Sequence, residues 1–130
     1  MSLNDTLANT LSLILIDEKA GKNESNIRPS SKVIKKVLDV MKSNNYIGDF
    51  EEIKDGKGNM IKLNLIGNIN KCGVIKPRYS VKKDEFEKFE KRYLLARGMG
   101  ILVVSTPVGI ITHNEAKKKG IGGKLLAYCY

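Results

Sequence analysis

The hydrophobic period of this chain changes along its length, and that change restricts the fold more than any single motif. Leu3, Leu7, Leu11 and Ile14 recur at helical spacing, and so do Val33, Ile34, Val37, Leu38 and Met41. Further on, Ile61, Leu63 and Leu65 alternate with Lys62 and Asn64, the pattern of a strand with one buried face. Ile101 to Val104 is a continuous apolar run, which reads as a fully buried strand. A chain that mixes the two periods in this way belongs to the α/β (α+β) class.

Punctuation divides the pattern into two small lobes. The spacing predicts a first helix over 3–17, broken by Gly21, Lys22 and Asn23. An extended piece over 25–28 leads into Pro29. Ser30 or Ser31 then caps a second helix over 32–43, with Val33, Ile34, Val37, Leu38 and Met41 facing the core. Strands over 46–53 and 60–66 flank a turn at Asp55-Gly56. The first lobe, residues 1–67, therefore reads α-β-α-β-β.

Gly67 to Lys71 reads as the joint. The second lobe, residues 68–130, is expected to be mainly β with short helices. A strand over 72–75 ends at Pro77. Phe86, Phe89 and Tyr93 mark a short surface helix within 83–93. Thr112-His113-Asn114-Glu115 is a capping box, so a helix starts at Thr112 and stops at Gly120. The last strand covers 125–130.

Charge narrows the partner. Lys and Arg total 23 against 14 Asp and Glu, a formal net charge of +9. That excess suits a polyanion: nucleic acid or an anionic surface. The membrane option is the weaker one, because no apolar run approaches the roughly 20 residues of a spanning helix. The start of the chain also lacks the basic, apolar and small-residue sequence of a signal peptide. Cys72 and Cys129 are distant and unpatterned and read as small core side chains in a reducing, cytoplasmic compartment. With His113 they make three soft ligands, fewer than a closed zinc site uses, so neither metal nor other cofactor is expected.

Two short segments carry the candidate chemistry. Ser105-Thr106-Pro107-Val108-Gly109 follows a buried strand and suits a turn beginning at Thr106. It would present two hydroxyls and exposed backbone to phosphate and ribose oxygens; the alternative is a plain hairpin turn. As a surface turn residue, Thr106 is expected to add little to folding. Gly120-Ile121-Gly122-Gly123-Lys124 lets the chain pass close to another backbone and adds a charge. Its spacing fits neither a dinucleotide fingerprint nor a Walker loop. Basic residues collect beside such loops: Lys32, Lys35 and Lys36; Lys76 and Arg78; Lys82 and Lys83; Lys117 to Lys119. Catalysis is poorly served. The single imidazole, His113, sits just inside a helix start and reads as a capping-turn residue, so the chain is not expected to be an enzyme.

Taken in order, these segments resemble small-subunit ribosomal protein eight over the whole chain. Asp5, Leu7, Ala8 and Leu11 resemble the family's D-x-L-A-x-x-L opening, and Pro29-Ser30-Ser31-Lys32 its entry to the second helix. Tyr46-Ile47 followed by Phe50 fits a further segment. Ser105-Thr106, Gly109 to Thr112, Glu115-Ala116, Gly120-x-Gly122-Gly123 and Tyr128 resemble its C-terminal signature. Ile75-Lys76-Pro77-Arg78, Ala96-Arg97, His113 and the Ala127-Tyr128…Tyr130 ending look like the archaeal and eukaryotic branch. Pro107 stands where many members carry Ser or Thr.

The resemblance implies a non-enzymatic, cytoplasmic component of the small ribosomal subunit. It implies binding to a hairpin in the central domain of small-subunit ribosomal RNA during assembly, among neighbouring ribosomal proteins. A second role, as repressor of its own messenger RNA, is also implied. RNA contacts carry over to Ser30, Ser31, Lys32, Ser105, Thr106, Gly109, Gly122 and Gly123. Charge and position add Lys76, Arg78 and Lys124, with Pro107 as a steric neighbour. The free chain is expected to be a monomer, since RNA rather than a second copy would cover its basic face. The competing readings are a general RNA-binding translational regulator and, more distantly, a small cytosolic transferase using the Ser105 loop.

Overall fold

The computed structural model describes residues 6–27, 31–54, 56, 59–94 and 99–130. The fold is mixed α/β with two antiparallel sheets, and contacts divide the chain into Met1–Lys71 and Cys72–Tyr130.

The first unit runs α1 (Thr6–Lys19), β1 (Glu24–Ile27), α2 (Lys32–Ser43), β2 (Ile47–Ile53) and β3 (Met60–Leu65). The sheet order is β1-β3-β2. In β3, Ile61, Leu63 and Leu65 are buried while Lys62 and Asn64 face away, as the alternation predicts. The helices supply the second layer. Leu7, Leu11 and Ile14 of α1 and Ile34, Val37, Leu38 and Met41 of α2 are buried, and α1 lies against β1 while α2 lies against β2. Ser31 caps α2: its Oγ accepts from the Ile34 N–H at 3.2 Å. Val33 departs from expectation. It shares helical spacing with Val37, but it lies in the first turn and keeps 42% of its surface open. Asn68 donates to the Asn45 carbonyl at 2.8 Å and the Ile69 N–H to the Glu18 carboxylate at 3.1 Å. The segment after Gly67 is thus tied to the first unit.

The second unit runs β4 (Cys72–Val74), β5 (Ser80–Val81), α3 (Phe86–Tyr93), β6 (Ile101–Thr106), β7 (Gly109–Thr112), α4 (His113–Lys119) and β8 (Gly123–Cys129). Strand β8 is central. It pairs with β6 on one side and with both β4 and β5 on the other, and β7 closes the far edge against β6. Phe86 and Phe89 of α3 and Ala116 of α4 pack with Ile75, Val81, Leu102, Val104 and Leu125 into one core. Thr112 caps α4, its Oγ1 accepting from the Glu115 N–H at 3.2 Å, and Gly120 ends it in the left-handed conformation.

Two strands escaped the sequence reading. β5 is only two residues long, too short to show a period. β7 covers Gly109–Thr112, which reads in the sequence as a turn end and a helix approach. Ser105 and Thr106 belong to strand β6 itself, and the turn proper is Pro107-Val108.

Candidate nucleic-acid interface

Register decides what this surface presents. Opposed residues in a sheet project to the same face. Lys124 of β8 stands opposite Ser105 of β6 on one side and Ser80 of β5 on the other. The row Ser80–Lys124–Ser105 therefore crosses three strands, with Lys124 exposed and Ser105 half-buried. A bulge sets this alignment. Val103 pairs with Ala127 but Val104 pairs with Leu125, which leaves Leu126 without an opposite residue in β6. Without that extra residue the register would carry Lys124 to Thr106.

A groove of about 410 Å³ runs along the row, lined by Ser80, Val81, Lys82, Glu85, Ser105, Thr106, Pro107, Gly123 and Lys124. Five sequence candidates thus meet in one place: Ser105, Thr106, Pro107, Gly123 and Lys124. Its one acid is already engaged, since the Glu85 carboxylate accepts from the Lys82 N–H at 3.0 Å. Ser80 is the residue that sequence reasoning missed. Nothing marks a serine in a two-residue strand until its pairing with β8 is known.

The glycines serve close backbone approach. A Cβ on Gly122 would stand 2.1 Å from the Val81 carbonyl oxygen, and one on Gly123 would stand 2.2 Å from that of Ser105. These two residues let β8 seat between β5 and β6, which is what places Lys124 in the row.

Thr106 has an internal task that its sequence position hides. Its Oγ1 donates to the Gly109 carbonyl at 2.7 Å and accepts from the Val108 N–H at 3.3 Å. A hydroxyl has one proton and two lone pairs, so one lone pair remains for a ligand. The expectation that Thr106 adds little to folding is corrected: its hydroxyl braces the hairpin. Gly109 completes the turn at φ +127°, where a side chain would be strained. Ser105, by contrast, makes no side-chain hydrogen bond among the described residues, so its hydroxyl can meet a phosphate or ribose in either sense. Thr106→Val is expected to cost about 1–2 kcal/mol of stability, and Ser105→Ala less than about 0.5 kcal/mol. Paired thermal melts check this.

Other candidates lie elsewhere. Lys76, Pro77 and Arg78 form an exposed excursion along the β8 edge. The Ile75 N–H donates to Leu126 and the Tyr79 carbonyl accepts from Leu125, so the three residues between loop outward, with a cis Lys76-Pro77 bond. Ser31 and Lys32 belong to the first unit, where the Ser31 oxygen is committed to the helix cap. Ser30 lies outside the described residues.

Electrostatics favours the second unit. It holds 12 of the 23 Lys and Arg residues and 5 of the 14 Asp and Glu residues, so it carries +7 of the formal +9. His113 takes no part in the groove. It is buried, its Nδ1 accepts from the Leu102 N–H at 3.1 Å, and its Nε2 donates to Glu90 at 2.8 Å. Lys117 meets the same carboxylate oxygen. The imidazole takes over the Leu102 N–H at the point where β7 gives way to α4. Burial holds its pKa below 6.5, with Lys117 acting in the same direction and Glu90 opposing. His113 does stand in the capping turn, as the first residue of α4, and it is also a buried cross-brace. Among the described residues no three His, Cys, Asp or Glu side chains gather as a metal site, and no helix is long and apolar enough to cross a membrane.

A family model described as Ribosomal protein S8 matches residues 5–130.

Proposed function

This chain belongs to that ribosomal protein family, a match spanning nearly its whole length, and from this premise we propose that its second unit grips a hairpin in the central domain of small-subunit ribosomal RNA. Membership makes the protein an RNA-binding component of the small ribosomal subunit that works among other ribosomal proteins, in a family that is structural rather than enzymatic. The finer reading is that it binds early and holds the hairpin's shape while the subunit assembles.

The observation that carries this reading is the Ser80–Lys124–Ser105 row beside the Thr106–Gly109 hairpin. Helical RNA offers a wide, shallow minor groove with ribose hydroxyls, and it is read by shape and by contacts to sugar and phosphate. A narrow rim of hydroxyls and glycines can approach such a surface closely, and the flanking lysine supplies attraction to phosphate. Lys76 and Arg78, on their outward loop, add further contacts to the RNA backbone. A hairpin of the same shape in the chain's own messenger RNA would meet the same surface and allow repression.

A footprint tests the reading. Chemical probing of small-subunit ribosomal RNA with and without the protein should protect one hairpin of the central domain. A fragment of the chain's own messenger RNA, probed alongside, should show a similar protected fold. Protection scattered evenly over the ribosomal RNA would contradict the proposal.

A further inference from the structure

Cys72 and Cys129 stand at opposite ends of the second unit in sequence, yet they are Cα partners in the β4–β8 ladder. Both are buried, at 4% and 1% exposure, and no disulfide joins them. The ladder also tells what kind of pair they form. In antiparallel strands, hydrogen-bonded and non-hydrogen-bonded pairs alternate. The Ile75 N–H donates to the Leu126 carbonyl at 3.0 Å, which makes that pair hydrogen-bonded. One step back on each strand, Val74/Ala127 is non-hydrogen-bonded and Gly73/Tyr128 is hydrogen-bonded. Cys72/Cys129 is therefore non-hydrogen-bonded. In such a pair the Cα atoms lie about 4.5 Å apart and the side chains come closest. That separation falls within the roughly 4.4–6.8 Å that a disulfide spans.

We propose that Cys72 and Cys129 are a redox modification site: a thiol pair that closes into an intramolecular disulfide and staples the first strand of the second unit to its last. The oxidant is a low-molecular-weight disulfide of the glutathione class. One cysteine, as thiolate, attacks a sulfur of that molecule, forming a mixed disulfide and releasing one small thiol. The second cysteine, as thiolate, attacks the mixed disulfide at the protein sulfur and releases the other small thiol. The small disulfide is reduced by two electrons, and the two protons from the cysteines leave with its thiols. Access comes through β4, which is three residues long and, among the described residues, pairs only with β8. An edge strand of that kind is among the first elements to open. Closing the bond then constrains the chain from 72 to 129 and removes the open form.

The test uses the folded, reduced, full-length chain with oxidised glutathione, quenched by alkylation after unfolding and read by mass spectrometry. The expected product has lost two hydrogens, carries no alkyl group, is a single chain and melts about 10 °C or more above the reduced form. Cys72→Ala and Cys129→Ala should each abolish that product. The parent measurement stands alone if either variant folds poorly. The proposal is overturned if the folded chain keeps two alkylatable thiols while the same chain in urea is oxidised. A stable glutathione adduct or a cross-link between chains as the main product overturns it as well.

Discussion

Gly123→Ala is expected to destabilise the second unit by about 3–5 kcal/mol, far more than a glycine substitution in open backbone. The added Cβ would meet the Ser105 carbonyl oxygen at 2.2 Å and the Val104 side chain at 2.9 Å. The first obstacle is backbone, so no rotamer change relieves it. β6 and β8 must separate, and the central pairing of the sheet weakens with them. Gly122→Ala should behave alike, because its Cβ would stand 2.1 Å from the Val81 oxygen. Gly120→Ala is the control. Its φ is +68° but, among the described residues, nothing beyond its chain neighbours lies within 4 Å of its Cβ, so the cost should be about 1 kcal/mol. Thermal melts of the three variants rank the effects. Equal, small losses would mean that β8 does not seat as described.

His113→Leu should cost about 3 kcal/mol or more, since it leaves the buried Leu102 N–H without an acceptor and removes a donor from Glu90. The parent should also show a pH dependence that the variant lacks. The folded pKa of His113 lies below its ordinary 6.5, chiefly through burial. Between those two values the unfolded chain binds more protons than the folded one. Stability from this group is therefore complete above pH 6.5 and is lost as pH falls from there through the folded pKa, by at most about 1.4 kcal/mol per pH unit. Denaturant melts at intervals from pH 7.5 to 5 read the slope. A parent whose stability rose as pH fell through this window would contradict the buried, neutral imidazole.

Much of the fold is visible before any coordinates. Ser31 and the spacing of Ile34, Val37, Leu38 and Met41 mark α2, and Thr112, Glu115 and Gly120 mark α4, because caps and helical periods are local signals. β3 declares itself through Lys62 and Asn64 alternating with buried neighbours. What escapes is whatever depends on pairing. Ser80 joins Lys124 and Ser105 only through β8, and one extra residue at Leu126 settles which residues face each other. The same holds for Cys72 and Cys129. Thr106 looks like a free hydroxyl in sequence because hydrogen bonds to Val108 and Gly109 depend on the hairpin's actual curvature. His113 likewise gains its meaning from Glu90, brought close by α3.

The central claim is that the Ser80–Lys124–Ser105 row is the RNA-reading surface, and a salt titration tests it most directly. The parent, Lys124→Gln and Ser105→Ala would be titrated against the footprinted hairpin over a series of salt concentrations. Lys124→Gln should flatten the slope of log affinity against log salt by about 0.7–0.9, the share of one phosphate contact. Ser105→Ala should leave the slope unchanged and weaken binding by about 0.5–1.5 kcal/mol at every salt concentration, the loss of a neutral hydrogen bond. If both variants fold normally and bind with the parent's affinity and slope, the row is not where this protein holds its RNA.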